Sequence, residues 1–160
     1  NRANSRNDAE TVLSSNALNE ITYLSQGYPH FLQQFSYCAF EADNDLLIDM
    51  DDVISGTYSE NGAIHQLGGK FFSEMYHARI SSDDYRTVLN TMAEYGDEWV
   101  KRDDIKTESK LKDHTINNAL GALKAKNIIL HDESRRGYYR LPNRSFAVWI
   151  NATKRNENQN

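Results

Sequence analysis

The side chains that could do chemistry in this 160-residue chain are cations and amides between residues 110 and 140. Lysine and arginine contact DNA phosphates, and asparagine side chains can meet base edges in the major groove. Asp113, Asp132 and Glu133 dilute the positive charge of the segment. On charge alone, a duplex-DNA surface and a protein-binding surface are therefore equally compatible with it. The candidate nucleic-acid contacts are Lys110, Lys112, His114, Asn117, Asn118, Lys124, Arg135, Arg136 and Arg140.

The sequence contains no complete catalytic constellation. Its Gly-Lys pair, Gly69-Lys70, is followed by Phe71, and Ile64 stands five residues before Gly69. A phosphate-binding loop needs glycines, whose backbone N–H groups cradle phosphate, and a Ser or Thr after the lysine to reach magnesium. We therefore expect no catalytic activity, and in particular no ATP hydrolysis, from this chain alone.

No metal site or reactive nucleophile is predicted. The aspartates between residues 43 and 52 lack the glycine and the final glutamate of a calcium-binding EF-hand loop. His65 and His77 have no cysteine or second histidine at metal-ligand spacing. Cys38, the single cysteine, falls at helical spacing among apolar residues, which favours a small buried side chain over a reactive thiol.

Composition indicates one globular domain or two small ones, since 39% of the residues are hydrophobic and 26% are charged. No segment approaches the roughly 20 apolar residues of a membrane span, and none resembles a signal peptide. We therefore expect a cytoplasmic protein with no membrane partner. Residue 1 is asparagine rather than methionine, and residues 1–7 are polar without periodicity, so we expect a fragment of a longer protein.

The net charge of -5 conceals two oppositely charged parts. Residues 1–96 hold 5 basic and 14 acidic residues, a net charge of -9, whereas residues 97–160 hold 13 and 9, a net charge of +4. Charge of opposite sign in two segments argues for different partners, not for a fold.

In the first half, two helical patterns meet at Gly27-Tyr28-Pro29. Glycine suits the left-handed residue that ends a helix, and proline suits the first turn of the next one. Ser14 to Asn16 offer N-caps for the first helix, Ala9 to Leu13 suggest a helical turn before it, and Asp49 with Asp52 resembles a capping box. The residues predicted to face a core are Leu18, Ile21, Leu24 and Tyr28; Phe31, Phe35, Cys38, Ala39 and Ala42, widened by Leu32, Tyr37 and Phe40; Val53 and Ile54; and Ile64, Leu67, Phe71 and Met75.

In the second half, the pattern runs helix, short strand, helix, helix and β-hairpin, which is the order of a winged helix-turn-helix. The stretch from Asp113 to Lys126 stands in the recognition-helix position, and residues 134–137 form the wing tip. We therefore predict a mainly α fold with domains at 1–80 (helical, lid-like), 81–150 (winged helix-turn-helix with a small β-hairpin) and 151–160 (polar, frayed tail).

With these elements placed, residues 24–33, LSQGYPHFLQ, resemble the lid-domain motif of AAA+ and STAND-type P-loop ATPases, especially the prokaryotic group with a Gly-x-Pro turn. In those families a helical lid follows the nucleotide-binding core and often precedes a winged helix. The resemblance spans roughly residues 9–150 and implies that Gly27, Tyr28, Pro29 and His30 lie at ATP held by a core outside this chain. His30 stands near the position of a sensor arginine in related AAA+ proteins and lacks its guanidinium.

The leading hypothesis is therefore the lid and winged-helix portion of an ATP-binding P-loop ATPase, which couples nucleotide state to DNA or partner binding. Its partners would be duplex DNA, an ATPase core or another protein. Two alternatives remain open, namely a non-enzymatic winged-helix transcriptional regulator and a protein-interaction adaptor. For Gly27-Tyr28-Pro29 itself, a simple corner between helices is the structural alternative.

Overall fold

The computed structural model describes residues 10–80 and 82–157 and is mainly helical, as predicted, with two small sheets. Contacts divide the chain into unit 1, Asn1–Leu67, and unit 2, Gly68–Asn160. The sequence-based boundary between residues 80 and 81 falls inside unit 2. No helix within the described ranges is long and apolar enough to cross a membrane.

Over residues 10–67, unit 1 contains four helices and one pair of strands. The helices are α1 (Ser15–Ser25), α2 (Pro29–Ala42), α3 (Met50–Tyr58) and α4 (Ala63–Leu67), and the strands are β1 (Val12–Leu13) and β2 (Leu47–Ile48). Helix α2 packs against both α1 and α3. The strands pair in parallel, Val12 opposite Leu47, so the helical turn expected before α1 is wrong for residues 10–13, and Ala9 lies outside the described residues.

The predicted caps of unit 1 are confirmed. The Ser14 side chain accepts a hydrogen bond from the backbone N–H of Ala17 and begins α1. The Asp49 side chain accepts from the N–H groups of Asp51 and Asp52, and the Asp52 side chain accepts from the N–H of Asp49, a complete capping box for α3.

The buried side of unit 1 is narrower than the sequence indicated. Its buried apolar residues are Ala17, Ile21, Leu24, Phe35, Cys38, Ala39, Ile48, Val53, Ala63, Ile64 and Leu67. Leu18, Tyr28, Leu32, Tyr37 and Ile54, which were predicted to face a core, are exposed by 36% to 54%. On α1 the buried position is held by Ala17, whose side chain is fully buried, rather than by its neighbour Leu18.

Unit 2 begins with two π-helical segments, Gly68–Phe72 and Glu74–Ala78, the first of which starts at the pair Gly68-Gly69. A π turn carries more residues than an α turn, so the buried face moves along by one position. Phe72 and Tyr76 are buried, whereas Phe71 is exposed and Met75 is half-buried, which corrects the predicted face.

The remaining elements of unit 2 are α5 (Asp83–Ala93), β3 (Val100–Lys101), α6 (Arg102–Ser109), α7 (Asp113–Ala125), β4 (Leu130–His131), β5 (Tyr138–Arg140) and α8 (Arg144–Glu157). The sheet order is β3-β5-β4, and both pairings are antiparallel. Helices α6, α7 and α8 each pack against α5. The core joins Val88, Leu89, Met92, Ile105, Ile116, Leu120, Leu123, Ile128, Ile129, Leu141, Phe146 and Ile150.

The frayed tail predicted from residue 151 is wrong as far as residue 157. Helix α8 continues because its polar end is attached to α5. Asn151 donates its side-chain N–H to the carbonyl of Ala93 at 3.0 Å, and Lys154 forms an ion pair with Glu94 at 2.8 Å. Residues 158–160 of the predicted tail lie outside the described residues.

Candidate nucleic-acid interface

Helix α7 presents the predicted polar face. Its buried side carries Ile116, Ala119, Leu120 and Leu123, which recur at helical spacing and pack it against the core of unit 2. On its other side the exposed residues include Lys112, His114, Asn117, Asn118, Gly121 and Lys124. Lys110 is also exposed and ends α6 in a left-handed conformation, with φ of 57°, so the chain turns sharply into α7.

Asp113, which the sequence suggested would weaken the positive surface, is matched by two cations from α6. Its two carboxylate oxygens lie 2.6 Å from Arg102 Nη2 and 2.6 Å from Lys106 Nζ. These hydrogen bonds, first from Arg102 and then from Lys106, lower the pKa of Asp113 to about 2. The carboxylate is therefore ionised at neutral pH and joins α6 to the start of α7.

Arg102 also determines which atoms of Asn117 face outward. Its Nε donates to Asn117 Oδ1 at 2.8 Å. A guanidinium has only donors, so the amide oxygen must point toward Arg102 and the amide nitrogen away from it. Asn117 consequently offers N–H donors, which suit phosphate oxygens and base acceptors.

The loop between β4 and β5, where the sequence predicts a wing tip, is organised by Asp132. Its Oδ1 accepts from the backbone N–H groups of Ser134 and Arg135 and from the Ser134 hydroxyl. Its Oδ2 lies 2.5 Å from Arg135 Nε. Hydrogen bonds from Ser134 and Arg135 hold the pKa of Asp132 well below its ordinary range. Gly137 closes the loop with a φ of 83°, a conformation that favours glycine.

A groove of about 440 Å³ lies between the end of α7 and the β4–β5 hairpin. Lys124 lines it from the helix, and His131 and Arg136 line it from the hairpin, together with the acidic Asp132 and Glu133. Lys124 and Arg136 are exposed, so two predicted cations meet at the same groove. Cations that line one groove from a helix and from a loop can pair with the phosphates of a DNA backbone.

Arg135 and Arg140, two further predicted contacts, lie against aromatic rings. The Arg135 guanidinium carbon is 4.5 Å from the centre of the Tyr138 ring and 5.8 Å from that of Trp99. The Arg140 guanidinium carbon is 5.0 Å from the Trp99 ring centre. Sequence reasoning missed the supporting roles of Trp99, Tyr138 and Arg102. The alternation of Trp99 and Lys101 about the buried Val100 is the signal that could have placed Trp99 on an outer sheet face.

The Gly27-Tyr28-Pro29 corner in unit 1 has the predicted backbone. Gln26 and Gly27 are both left-handed, with φ of 51° and 71°, and Pro29 occupies the first turn of α2. Tyr28 is 52% exposed, its ring centre lies 5.8 Å from that of Phe31, and His30 is exposed. The corner therefore presents an aromatic and an imidazole side chain on the surface of unit 1.

Cys38 is buried, as the sequence predicted. Its exposure is 6%, and burial raises the pKa of its thiol. Gln34 and Gln66 direct their side-chain nitrogens at the sulfur at 3.4 and 3.6 Å. Across residues 10–80 and 82–157, no group of three or more His, Cys, Asp or Glu side chains could hold a metal ion.

Comparisons of this chain with protein-family models, with curated proteins and with solved structures found no match.

Proposed function

We propose that this chain is the lid and winged-helix portion of a P-loop ATPase and that its winged helix binds duplex DNA. The observation that carries the proposal is the architecture of unit 2, in which helix, strand, helix, helix and hairpin follow one another and β3 joins the hairpin through β5. A winged helix-turn-helix has this order, with α7 as its recognition helix and residues 132–137 as its wing.

The charge distribution on unit 2 supports DNA as the partner. Lys112, Lys124 and Arg136 are exposed along α7 and the wing, and Asp113 is neutralised by its two cations. Arg135 adds a fourth cation, which is paired with Asp132 through its Nε and has a side chain that is 49% exposed. The amide nitrogen of Asn117 and the exposed Asn118 are suited to base edges or phosphates.

The surface of unit 1 supports a protein contact, as a lid requires. Tyr28, Ile54 and Tyr58 are exposed by 52%, 49% and 52%. Ile54 and Tyr58 are four residues apart and share one face of α3. A lid that closes over ATP would bury such side chains against the nucleotide-binding core, and Gly27, Tyr28, Pro29 and His30 would then face the nucleotide.

Duplex binding is tested by fluorescence anisotropy of a labelled 20-base-pair DNA of mixed sequence over a range of salt concentrations. Four phosphate contacts predict a slope of log K against log salt of about -3.6, or roughly 150-fold weaker binding at 200 mM than at 50 mM salt. Arg136→Ala and Lys124→Ala should each make the slope shallower by about 0.9, because each removes one contact. Lys70→Ala, an exposed cation outside α7 and the wing, is the matched control and should leave the slope unchanged. Undetectable or salt-independent binding would refute the DNA proposal.

The ATPase part is tested on the intact gene product. If a phosphate-binding core precedes this chain, the intact protein should bind a fluorescent ATP analogue, and Tyr28→Ala should weaken that binding. A gene that encodes no phosphate-binding loop would refute this part while leaving the DNA result untouched.

A further inference from the structure

One face of the three-stranded sheet in unit 2 alternates aromatic and cationic side chains. Residues two apart on a strand share a face, so Trp99 and Lys101 lie on the same side, as do Tyr138 and Arg140. The register pairs Lys101 with Tyr138, which places Trp99 next to Arg140. Ring contacts agree with the register, since Lys101 Nζ lies 5.8 Å from the centre of the Tyr138 ring.

Arg140 depends on this face for its interactions. Its Nε is buried and has no hydrogen-bond partner in the part of the chain that the structure describes. The guanidinium instead lies 5.0 Å from the Trp99 ring centre. A cation over an indole ring is attracted by the ring quadrupole, and this attraction is strongest for tryptophan. Arg140 is therefore suited to hold Trp99 in place.

Arg135 extends the same arrangement to the wing tip. Its guanidinium lies over Tyr138 and Trp99, and its Nε is paired with Asp132 at 2.5 Å. The Nη groups are the remaining donors of this side chain, which is 49% exposed. The backbone N–H of Arg102 donates to the carbonyl of Gly137 at 2.8 Å, which fixes the other end of the loop to the start of α6.

We propose that Trp99 is a positioning residue of the wing, which holds the Arg135 guanidinium so that its Nη groups meet a DNA phosphate. This inference rests on the proposed duplex binding by unit 2. It gives different roles to the two arginines that were both predicted to contact DNA. Arg135 binds phosphate, whereas Arg140 supports Trp99.

The first test examines the wing without DNA. In the ¹H–¹⁵N spectrum of the whole chain, the Arg135 Nε–H should give a slowly exchanging signal, since it is hydrogen-bonded to Asp132. Trp99→Ala should broaden or remove that signal, and Trp99→Phe, which keeps a ring, should retain it. An unchanged signal in Trp99→Ala would overturn the inference. Emission from Trp149, which is buried in the core, checks that each variant is folded.

The second test uses the DNA titration. Trp99→Ala should weaken binding about two- to fivefold, the equivalent of one exposed cation–π contact, and Trp99→Phe should restore most of the loss. The double variant Trp99→Ala/Arg135→Ala should bind DNA no more weakly than Arg135→Ala alone, because Trp99 acts through Arg135. Additive losses would overturn the inference.

A double variant separates support from contact at Arg140. In a chain that already carries Trp99→Ala, adding Arg140→Ala should leave the salt slope unchanged, because Arg140 acts through Trp99, whereas Arg135→Ala in the wild-type chain should make the slope shallower by about 0.9. A further loss of slope on adding Arg140→Ala would place Arg140 on phosphate and contradict the assignment. If the wild-type chain binds no duplex, the proposed function fails, and the Arg135 Nε–H signal still decides whether Trp99 positions the wing.

Discussion

Replacing Gly56 by alanine tests the close packing of α2 against α3, which supports the Gly27-Tyr28-Pro29 corner in unit 1. A Cβ at position 56 would lie 2.4 Å from the carbonyl oxygen of Cys38 and 2.6 Å from the backbone nitrogen of Ala39. Ordinary contacts between carbon atoms begin near 3.5 Å. Because these neighbours are backbone atoms, a side-chain rotation cannot relieve the clash, and the two helices must separate by about 1 Å.

The expected effect is a clear loss of stability. Because the clashing atoms are backbone, the overpacking should cost about 2–3 kcal/mol, and the better helix propensity of alanine offsets about 1 kcal/mol of it. A net loss of 1–2 kcal/mol would lower Tm by roughly 4–16 °C for a domain of the size of unit 1. Gly121→Ala is the matched control, because that glycine is exposed on α7 and a Cβ there meets nothing within 4 Å. The control should gain up to about 1 kcal/mol.

Cys38 provides a specific readout, because it is the single cysteine and is 6% exposed. Labelling by an aromatic disulfide reagent requires α2 to open from its neighbours. A loss of 1–2 kcal/mol should speed labelling about 5- to 30-fold in Gly56→Ala, with no acceleration in Gly121→Ala. If Gly56→Ala is as stable as the wild type and its thiol reacts no faster, the inferred contact between α2 and α3 is wrong.

Three further predictions concern local interactions. Salt bridges lower the pKa of Asp113 from its ordinary 3.8 to about 2. They therefore stabilise the fold above pH 4, and this stabilisation is lost as the pH falls toward 2. Over that pH window the urea midpoint of Asp113→Asn should drop less than that of the wild type. Asp49→Ala should cost about 1 kcal/mol in thermal unfolding through loss of the α3 cap, whereas the exposed Asp51→Ala should cost little, and equal losses would contradict the capping assignment. Gly68→Ala should destabilise unit 2 by about 1–3 kcal/mol and shift Trp149 emission, because its Cβ would lie 1.9 Å from Trp149 Nε1; an unshifted spectrum would contradict that contact.

Most of the helices were predicted correctly, because the caps, the proline and the apolar periodicity that mark a helix come from residues close together in the sequence. Pro29 begins α2, Ser14 and Asp49 cap α1 and α3, and the spacing of Ile116, Leu120 and Leu123 separates the two sides of α7. The strands β1 and β2 were missed as a pair, because each has two residues and their parallel pairing joins distant parts of the chain.

The errors in burial have two physical causes. Leu18 and Ile54 are apolar and were expected to face inward, but the buried positions beside them are held by Ala17 and Val53. The buried face shifts from Phe71 to Phe72 because the chain is π-helical from Gly68 to Phe72, and a period of 3.6 residues does not describe a π turn.

The candidate interface was predictable in composition and only partly in geometry. The exposed residues of α7 follow from helical periodicity. The pairing of Asp113 with Arg102 and Lys106, and the contact of Arg135 with Trp99, depend on tertiary packing that spacing in the sequence does not reveal.

DNA binding through α7 and the β4–β5 loop can be tested directly by a ¹H–¹⁵N titration of the whole chain with an unlabelled 20-base-pair duplex at low salt. We predict that the shifted signals fall in residues 110–124 and 132–137, on α7 and the wing, and that they return toward their free positions as salt is added. Shifts confined to unit 1, or no shifts at all, would contradict DNA binding through α7 and the wing.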